Sequence, residues 1–337
     1  MTHEIVATHR IFPETAALLR RAGTLRSPDA EAYAPPELRA VLATAQAVMV
    51  FMPDRIDGAF LAAAPQLRIV AAALKGYDNI DTEACTAQGV WLSIVPDLLT
   101  APTAELTIGL IIGLARHLRA ADLHVRSGAY AGWTPRFYGA SLEESTIGLV
   151  GMGAIGRAVA ERLGGFRCRM IYCDERPLEG TVEQGLGLAF RPLPALLGEA
   201  DIIVLCLPLT ASTTHVVDAG SLGLMKPGAL LVNPARGSLV DEVAVARALA
   251  QGRLGGYAAD AFELEDLSRP DRPRVIAPEL LAHPNTLFGA HIGSATIAAR
   301  RAIEARAAAN ILDALAGRTP RDAVNQIDAA HACHARA

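Results

Sequence analysis

The stretch Ser145-Thr-Ile-Gly-Leu-Val-Gly-Met-Gly-Ala-Ile-Gly-Arg157 decides the fold. It begins with an apolar run, Ile147–Val150, of the kind that a buried parallel strand requires. The motif Gly151-x-Gly153-x-x-Gly156 follows, and Ala158–Leu163 then has apolar residues at helical spacing. The order strand, glycine turn, helix is typical of a βαβ unit that binds a dinucleotide. The plainer alternative is a βαβ turn without a ligand.

Each of the three glycines in the motif is expected to have a different structural role. Gly151 permits a tight turn, Gly153 lets the backbone approach a pyrophosphate, and Gly156 lets the helix pack close to the strand. A second apolar run ends about twenty residues later in Asp174 and Glu175. An acid there binds ribose hydroxyls and repels a 2′-phosphate, so the sequence predicts NAD rather than NADP. Arg176 is the opposing feature, since an arginine can bind a 2′-phosphate.

Composition restricts the class of protein. The chain has 337 residues, of which 51% are hydrophobic and 20% charged, with a formal net charge of -4. That length suits two domains, and the charge gives no reason to expect nucleic-acid or membrane partners. The five cysteines form no Cys-x-x-Cys pair, so we expect no metal site and a reducing, cytoplasmic compartment. His331, Cys333 and His334 near the C-terminus could bind a metal, but a frayed end is the simpler interpretation.

Strands and helices alternate along almost the whole chain, which predicts an α/β fold with parallel sheets. The first part contains a strand at Glu4–Thr8 and buried strands at Ala47–Met52 and Gln66–Leu74. A single long apolar helix is predicted from Thr103 to about Arg126. We place a domain crossing near residue 100, with one domain formed by residues 1–100 and 295–337 and the other by residues 101–294.

Polar side chains follow the predicted strands, at the sheet edge where ligands bind in such folds. Arg236 is placed to bind an anion bidentately, although it could also be a capping or surface residue. His291 has a side chain suited to proton transfer, and Glu265 is near enough in this fold to orient it, although other acids crowd the same loop. Lys75 ends an apolar strand, where an ammonium group is costly unless it meets an anion.

These residues and motifs resemble the D-isomer-specific 2-hydroxyacid dehydrogenase family along nearly the whole chain. The matching segments are Gly76–Asp81, Gly151–Gly156, Leu205–Leu209, Asn233–Gly237, Asp260–Glu265, His283–Asn285 and His291–Gly293. The resemblance implies a Rossmann-type NAD domain, a flavodoxin-like discontinuous substrate domain, a homodimer, and a catalytic set of Arg236, Glu265 and His291. It also implies a cofactor site formed by Gly151, Gly153, Ala154, Ile155, Gly156, Asp174, Glu175, Leu207, Pro208, Thr103, Pro234, Ala235, Arg236, Asp260, His291 and Gly293.

Within this family, several segments are similar to the branch of phosphite (phosphonate) dehydrogenases. They are Val48–Asp54, Lys75, Pro96–Glu105, Gly132–Gly139 and Phe262–Asp266. This similarity implies oxidation of phosphite to phosphate, with Lys75 and Arg236 binding the anion and a water attacking phosphorus. It adds Gly76, Met52 and Arg300 to the substrate residues and places Trp133 and Tyr138 near the substrate.

Two other functions remain open from the sequence. The first is an ordinary NAD-dependent D-2-hydroxyacid dehydrogenase that acts on a small 2-hydroxy acid with the same residues. The second is a non-catalytic NAD(H)-sensing protein on this fold, which the presence of Arg236, Glu265 and His291 together disfavours.

Overall fold

A computed structural model describes residues 3–327 of the chain. The described residues divide into two compact units, one formed by residues 3–99 with residues 296–327 and the other by Thr100–Ala295. His331, Cys333 and His334, which were considered as metal ligands or as part of a frayed end, lie outside the described residues.

Parallel strands and helices make up both units. The strands are β1 (His3–Ala7), β2 (Gly23–Arg26), β3 (Ala47–Val50), β4 (Ile69–Ala72), β5 (Trp91–Ser93), β6 (Thr146–Val150), β7 (Arg169–Cys173), β8 (Leu188–Phe190), β9 (Ile202–Leu205), β10 (Ala229–Asn233), β11 (Leu254–Ala259) and β12 (Thr286–Phe288). The helices are α1 (Pro13–Arg20), α2 (Pro35–Leu42), α3 (Gly58–Ala63), α4 (Thr82–Ala87), α5 (Thr100–Ala115), α6 (Leu118–Arg126), α7 (Ala154–Leu163), α8 (Gly180–Leu186), α9 (Leu193–Glu199), α10 (Ala219–Leu224), α11 (Glu242–Ala250), α12 (Pro278–Ala282) and α13 (Ile297–Leu315).

The first unit is built on a five-stranded parallel sheet in the order β2-β1-β3-β4-β5. Apolar clusters cover both of its faces, and α13 supplies Ile303 and Ile311 to one of them. Asp81 begins α4 by accepting a hydrogen bond from the Ala84 backbone N–H at 2.8 Å, which satisfies one of the donors that a helix start leaves unpaired. A parallel sheet buried on both faces agrees with the continuous apolar runs of its strands.

The second unit is built on a seven-stranded parallel sheet in the order β12-β11-β10-β9-β6-β7-β8. The chain starts at β6, runs outward through β7 and β8, and then returns to β9 on the other side of β6. The strand order therefore reverses beside β6, and ligands bind at the carboxyl ends of the strands at such a reversal. Two parallel-sheet α/β units confirm the predicted fold class.

The prediction of one helix from Thr103 to Arg126 is wrong. Helix α5 ends at Ala115, His117 has a left-handed backbone with φ of +52°, and α6 begins at Leu118. The Ala115 carbonyl at the end of α5 accepts a hydrogen bond from the Ala140 backbone N–H at 3.0 Å. A distant segment thus satisfies the helix end, so no glycine or proline was needed to mark it.

Two further properties concern residues 3–327 as a whole. None of the helices there is long and apolar enough to cross a bilayer. The same part of the chain holds no group of three or more His, Cys, Asp and Glu side chains arranged to bind a metal ion.

Candidate active site

The glycine turn joins β6 to α7 at the reversal of strand order. Gly151 has φ of +97°, and a side-chain carbon on it would lie 2.7 Å from the Cys206 carbonyl oxygen. A side-chain carbon on Gly156 would lie 2.1 Å from the Gly151 carbonyl oxygen. Both positions therefore require glycine for the fold itself, in agreement with the tight turn and close helix packing expected of them.

Gly153 differs from these two glycines. It is exposed, and a side-chain carbon on it would meet no described atom within 4 Å. It is also the N-cap residue of α7, and it has no side chain to accept from the N–H groups of the first turn, which includes Ala154 and Ile155. Unpaired N–H groups at a helix start favour an anion such as a pyrophosphate.

Asp174 follows β7 and is held firmly against the glycine turn. One of its carboxylate oxygens accepts from the Met152 backbone N–H at 2.6 Å, and the other accepts from the Glu175 N–H at 2.7 Å. A carboxylate has about four acceptor positions, so these two bonds fix its orientation and leave capacity for hydroxyl donors. Glu175 and Arg176 are both exposed beside it.

The predicted pairing of Glu265 with His291 is confirmed. The His291 Nδ1 and a Glu265 carboxylate oxygen are 2.5 Å apart, and the two side chains are 28% and 31% exposed. The other Glu265 oxygen accepts from the Phe262 backbone N–H at 2.8 Å. Because an ionised carboxylate only accepts, this geometry places a proton on Nδ1 and leaves Nε2 as the acceptor.

Backbone interactions around Asp260 fix the segment that carries His291. The Asp260 carboxylate is almost fully buried and accepts from the N–H groups of Ile292 and Gly293 at 2.9 and 2.8 Å. Burial raises the pKa of this carboxyl above its usual range, although the two N–H bonds oppose the shift. A side-chain carbon on Gly293 would lie 3.2 Å from the Thr103 hydroxyl oxygen, so Thr103 stands beside this segment.

Arg236 follows β10 in a short turn that packs on the Glu265 segment. Its carbonyl accepts from the Asn233 side-chain amide at 2.8 Å, and Asn233 also accepts from the Ala235 N–H at 3.1 Å. A side-chain carbon on the next residue, Gly237, would lie 1.8 Å from the Phe262 carbonyl carbon. The turn that carries Arg236 and the turn that carries Glu265 are therefore in direct backbone contact.

The remaining predicted cofactor residues of this unit follow neighbouring strands. Leu207 and Pro208 come after β9, and Pro234 and Ala235 come after β10. Their placement at the same sheet edge as the glycine turn follows from the parallel arrangement of the strands. Trp133 and Tyr138 are largely exposed, at 80% and 74%.

The first unit contains the other predicted substrate residues at the carboxyl ends of β3 and β4. Met52 follows β3, and its carbonyl accepts from the Asn79 amide at 3.3 Å. Lys75 and Gly76 are half-buried just after β4. Arg300 from α13 donates to the Ala73 carbonyl at 3.3 Å and stacks over Phe51, with 5.6 Å from its guanidinium carbon to the ring centroid. Burial lowers the pKa of this guanidinium.

A comparison with protein families matches residues 108–293 to the NAD binding domain of the D-isomer specific 2-hydroxyacid dehydrogenases. The chain belongs to this family. Its membership agrees with the two parallel-sheet units and with the glycine turn at the reversal of strand order.

Relatives of known name are similar over most of the chain. A glyoxylate reductase from Thermococcus onnurineus is 40% identical over 285 residues, which cover 83% of each chain. A glyoxylate reductase from Aeropyrum pernix is 38% identical over 330 residues, or 96% of each chain. The crystal structure of the TT0316 protein from Thermus thermophilus has a TM-score of 0.86 at 33% identity and covers 95% of this chain and 99% of its own.

The residues of this dehydrogenase fit NAD, the cofactor of its family. Gly153 offers an open backbone at the start of α7, and Asp174 stands at the end of the adjacent strand with its carboxylate oriented. These are the two features by which such a fold binds a pyrophosphate and a ribose.

Sequence reasoning missed a buried group behind Glu265. Glu263 and Glu242 are only 5% and 2% exposed, and each accepts a hydrogen bond from the backbone N–H of the other. His215 and Arg269 also contact Glu263. In the sequence, the only indication was the group of acidic residues after β11, and this does not show which of them is buried.

Proposed function

We propose that this chain is an NAD-dependent dehydrogenase of a small D-2-hydroxy acid, and that in the reverse direction it reduces a small 2-oxo acid such as glyoxylate. The observation that carries the proposal is the His291–Glu265 pair, 2.5 Å apart, because the turn that carries Glu265 also contacts the turn of Arg236. Family membership and the names of the relatives support it.

Arg236 is assigned to the substrate carboxylate. A guanidinium donates two parallel hydrogen bonds to a carboxylate, which sets both the position and the orientation of a small acid. The Asn233 amide and the close packing at Gly237 fix the turn from which Arg236 extends. Such preorganisation raises the rate because the acid is oriented before reaction.

His291 is assigned to proton transfer. Its Nδ1 donates to Glu265, so its Nε2 accepts the hydroxyl proton of a 2-hydroxy acid during oxidation and returns it to the carbonyl oxygen during reduction. The Glu265 carboxylate stabilises the imidazolium that forms when Nε2 takes the proton. This arrangement follows the logic of a base whose second nitrogen is oriented by a carboxylate.

NAD supplies the hydride acceptor for oxidation, and NADH supplies the donor for reduction. Asp174 is assigned to the ribose hydroxyls, and its fixed negative charge disfavours a 2′-phosphate. Glu175 adds a second negative charge beside it.

A second candidate substrate is phosphite, and Lys75 is the observation that favours it. A half-buried lysine at a strand end suits a compact anion with no side chain. In this candidate Arg236 and Lys75 would bind phosphite, and His291 would take the proton from a water that attacks phosphorus. NAD would serve as the acceptor of the hydride from phosphorus. The relatives named above do not support this substrate, because they are named for glyoxylate.

One set of assays separates the two candidates. NADH formation is measured with D-glycerate, D-lactate, glycolate and phosphite, and NADH consumption with glyoxylate. Turnover of glyoxylate and a 2-hydroxy acid, with none of phosphite, supports the first proposal. Turnover of phosphite alone would reject the first proposal and establish the second.

Arg236→Lys tests whether Arg236 binds the substrate anion. Lysine keeps the charge but lacks the planar fork, so we expect kcat/KM for the organic acid to fall by about 10- to 100-fold. The affinity for NAD, measured by fluorescence titration, serves as the control for folding. An unchanged kcat/KM would show that Arg236 does not bind the substrate through its fork.

A further inference from the structure

The acidic turn after β11 has one face toward His291 and another toward the protein interior. Glu263 and Glu265 belong to the same single 3-10 turn. Glu265 is about one-third exposed and contacts His291, whereas the Glu263 side chain is 7% exposed. Any displacement of Glu263 therefore displaces the backbone from which Glu265 extends.

Three donors converge on the Glu263 carboxylate. One oxygen accepts from the His215 Nε2 at 2.6 Å and from the Arg269 Nη1 at 3.1 Å. The other accepts from the Glu242 backbone N–H at 3.2 Å. Glu242 returns the bond, because its carboxylate accepts from the Glu263 N–H at 2.9 Å. We call Glu263, Glu242, His215 and Arg269 the buried acid cluster.

The buried acid cluster also holds the turn that carries Arg236. The His215 backbone N–H donates to the Ser238 carbonyl at 2.8 Å, and Arg269 donates to the Ser238 hydroxyl at 3.4 Å. Ser238 lies two residues after Arg236 in the same turn. The cluster therefore connects the turns of Arg236 and Glu265 through the buried residues Ser238 and Glu263.

The charges of the cluster fit this role. Burial, together with the nearby Glu263 and Glu265 charges, raises the pKa of Glu242 to about 7, although the hydrogen bond from the Glu263 backbone N–H opposes the shift. Glu242 is thus protonated in a substantial fraction of molecules near neutral pH, which reduces its repulsion of Glu263. Arg269 and His215 pair with the Glu263 carboxylate, and Arg269 also pairs with Asp271 at 3.3 Å.

We propose that Glu263 is a positioning residue, which fixes the Glu265 turn so that Glu265 holds His291 in its proton-transfer orientation. This inference rests on the proposed roles of Glu265 and His291. The donors to the Glu263 carboxylate are His215, Arg269 and Glu242 rather than His291, so its effect passes through the geometry of the Glu265–His291 bond.

Glu263→Gln is the primary variant. An amide has one acceptor atom, so its NH2 group must face either the Arg269 guanidinium or the Glu242 N–H, both of which are donors. We expect the turn to shift and kcat to fall by about 10- to 100-fold, with KM for NAD unchanged. Glu279→Gln, at an exposed position in α12, is the matched control and leaves kcat unchanged.

A spectroscopic measurement tests the proposal without turnover. A proton in the short His291–Glu265 bond gives a far-downfield proton resonance, which Glu265→Gln removes and thereby assigns. We expect Glu263→Gln to shift or broaden this resonance in protein that remains folded. If the native enzyme turns over no substrate, the proposed function fails, and the resonance still decides whether Glu263 positions His291.

His215 provides a second pair of variants at a partly exposed position, in case Glu263→Gln does not fold. His215→Leu removes a donor to Glu263, whereas His215→Gln keeps one. We expect His215→Leu to move the resonance and lower kcat, and His215→Gln to restore both toward native values. An unchanged resonance and an unchanged kcat in folded Glu263→Gln would overturn the proposal. If Glu263→Gln is unfolded, the same result in His215→Leu would overturn it.

Discussion

The glycine turn after β6 and the acidic turn after β11 lie at the carboxyl edge of the same sheet, but different interactions hold them. At Gly151 and Gly156 the requirement is steric, because a side-chain carbon there would collide with the backbone of Cys206 or of Gly151. Glu263 and Glu265 are fixed by side chains that lie up to 48 residues away in the chain. Steric demands of this kind appear in the sequence as glycines at fixed spacing, whereas a network of distant side chains leaves no comparable pattern.

The largest expected effect on stability distinguishes two glycines within the glycine turn. Gly151→Ala places a side-chain carbon 2.7 Å from the Cys206 carbonyl oxygen at a backbone φ of +97°. We expect the free energy of unfolding to fall by about 3 kcal/mol. Gly153→Ala meets no described atom, so the stability stays within about 0.5 kcal/mol while the Kd for NAD rises about 10-fold.

Urea unfolding and fluorescence titration with NAD check this pair of variants. A large loss of stability in Gly153→Ala would mean that the fold, and not the cofactor, requires that glycine. The glycine turn and the acidic turn would then differ less in what stabilises them than their contacts indicate.

The second prediction concerns the pH dependence of stability in the acidic turn. Burial raises the Glu242 pKa to about 7 in the folded protein, so deprotonation of Glu242 destabilises the fold as the pH rises toward and through that value. The amide that Glu242→Gln introduces does not titrate. We therefore expect the variant to gain about 2 kcal/mol relative to the native protein between about pH 5 and about pH 8.

Urea unfolding at both pH values measures this difference. Glu279→Gln, whose side chain is exposed, is the control and should follow the native pH dependence. A Glu242→Gln curve parallel to the native one would show that Glu242 is ionised throughout this range.

The smallest expected effect concerns Asp174, the acid beside the glycine turn. Asp174→Ala removes the charge that disfavours a 2′-phosphate and leaves Arg176 nearby in the chain. We expect the ratio of kcat/KM for NAD to that for NADP to fall about 10-fold. Equal ratios in the native and variant enzymes would exclude Asp174 as the residue that selects the cofactor.

Much of the fold was predictable because its signals are local. The apolar run before Gly151 and the acid at Asp174 identified β6, α7 and β7. Strand β2 (Gly23–Arg26) was not predicted, since it is a strand of only four residues at the edge of its sheet. The division between α5 and α6 at His117 was missed because its hydrogen-bond partner, Ala140, lies far along the chain.

The site was predictable in part for the same reason. His291 and Arg236 were found because each follows an apolar strand and precedes a glycine by one or two residues. Glu265 could be selected among its acidic neighbours only through the family resemblance. The inward orientation of Glu263 depends on His215, Glu242 and Arg269, and their contacts exist only in the folded chain.

The central claim is that His291, held by Glu265, transfers the substrate proton in an NAD-dependent dehydrogenase. The most direct measurement is steady-state turnover of the native enzyme and of His291→Asn with glyoxylate and NADH, together with NADH binding. We predict that the native enzyme turns over and that kcat in His291→Asn falls by about 1,000-fold or more at an unchanged Kd for NADH. Full turnover in the variant would contradict the account.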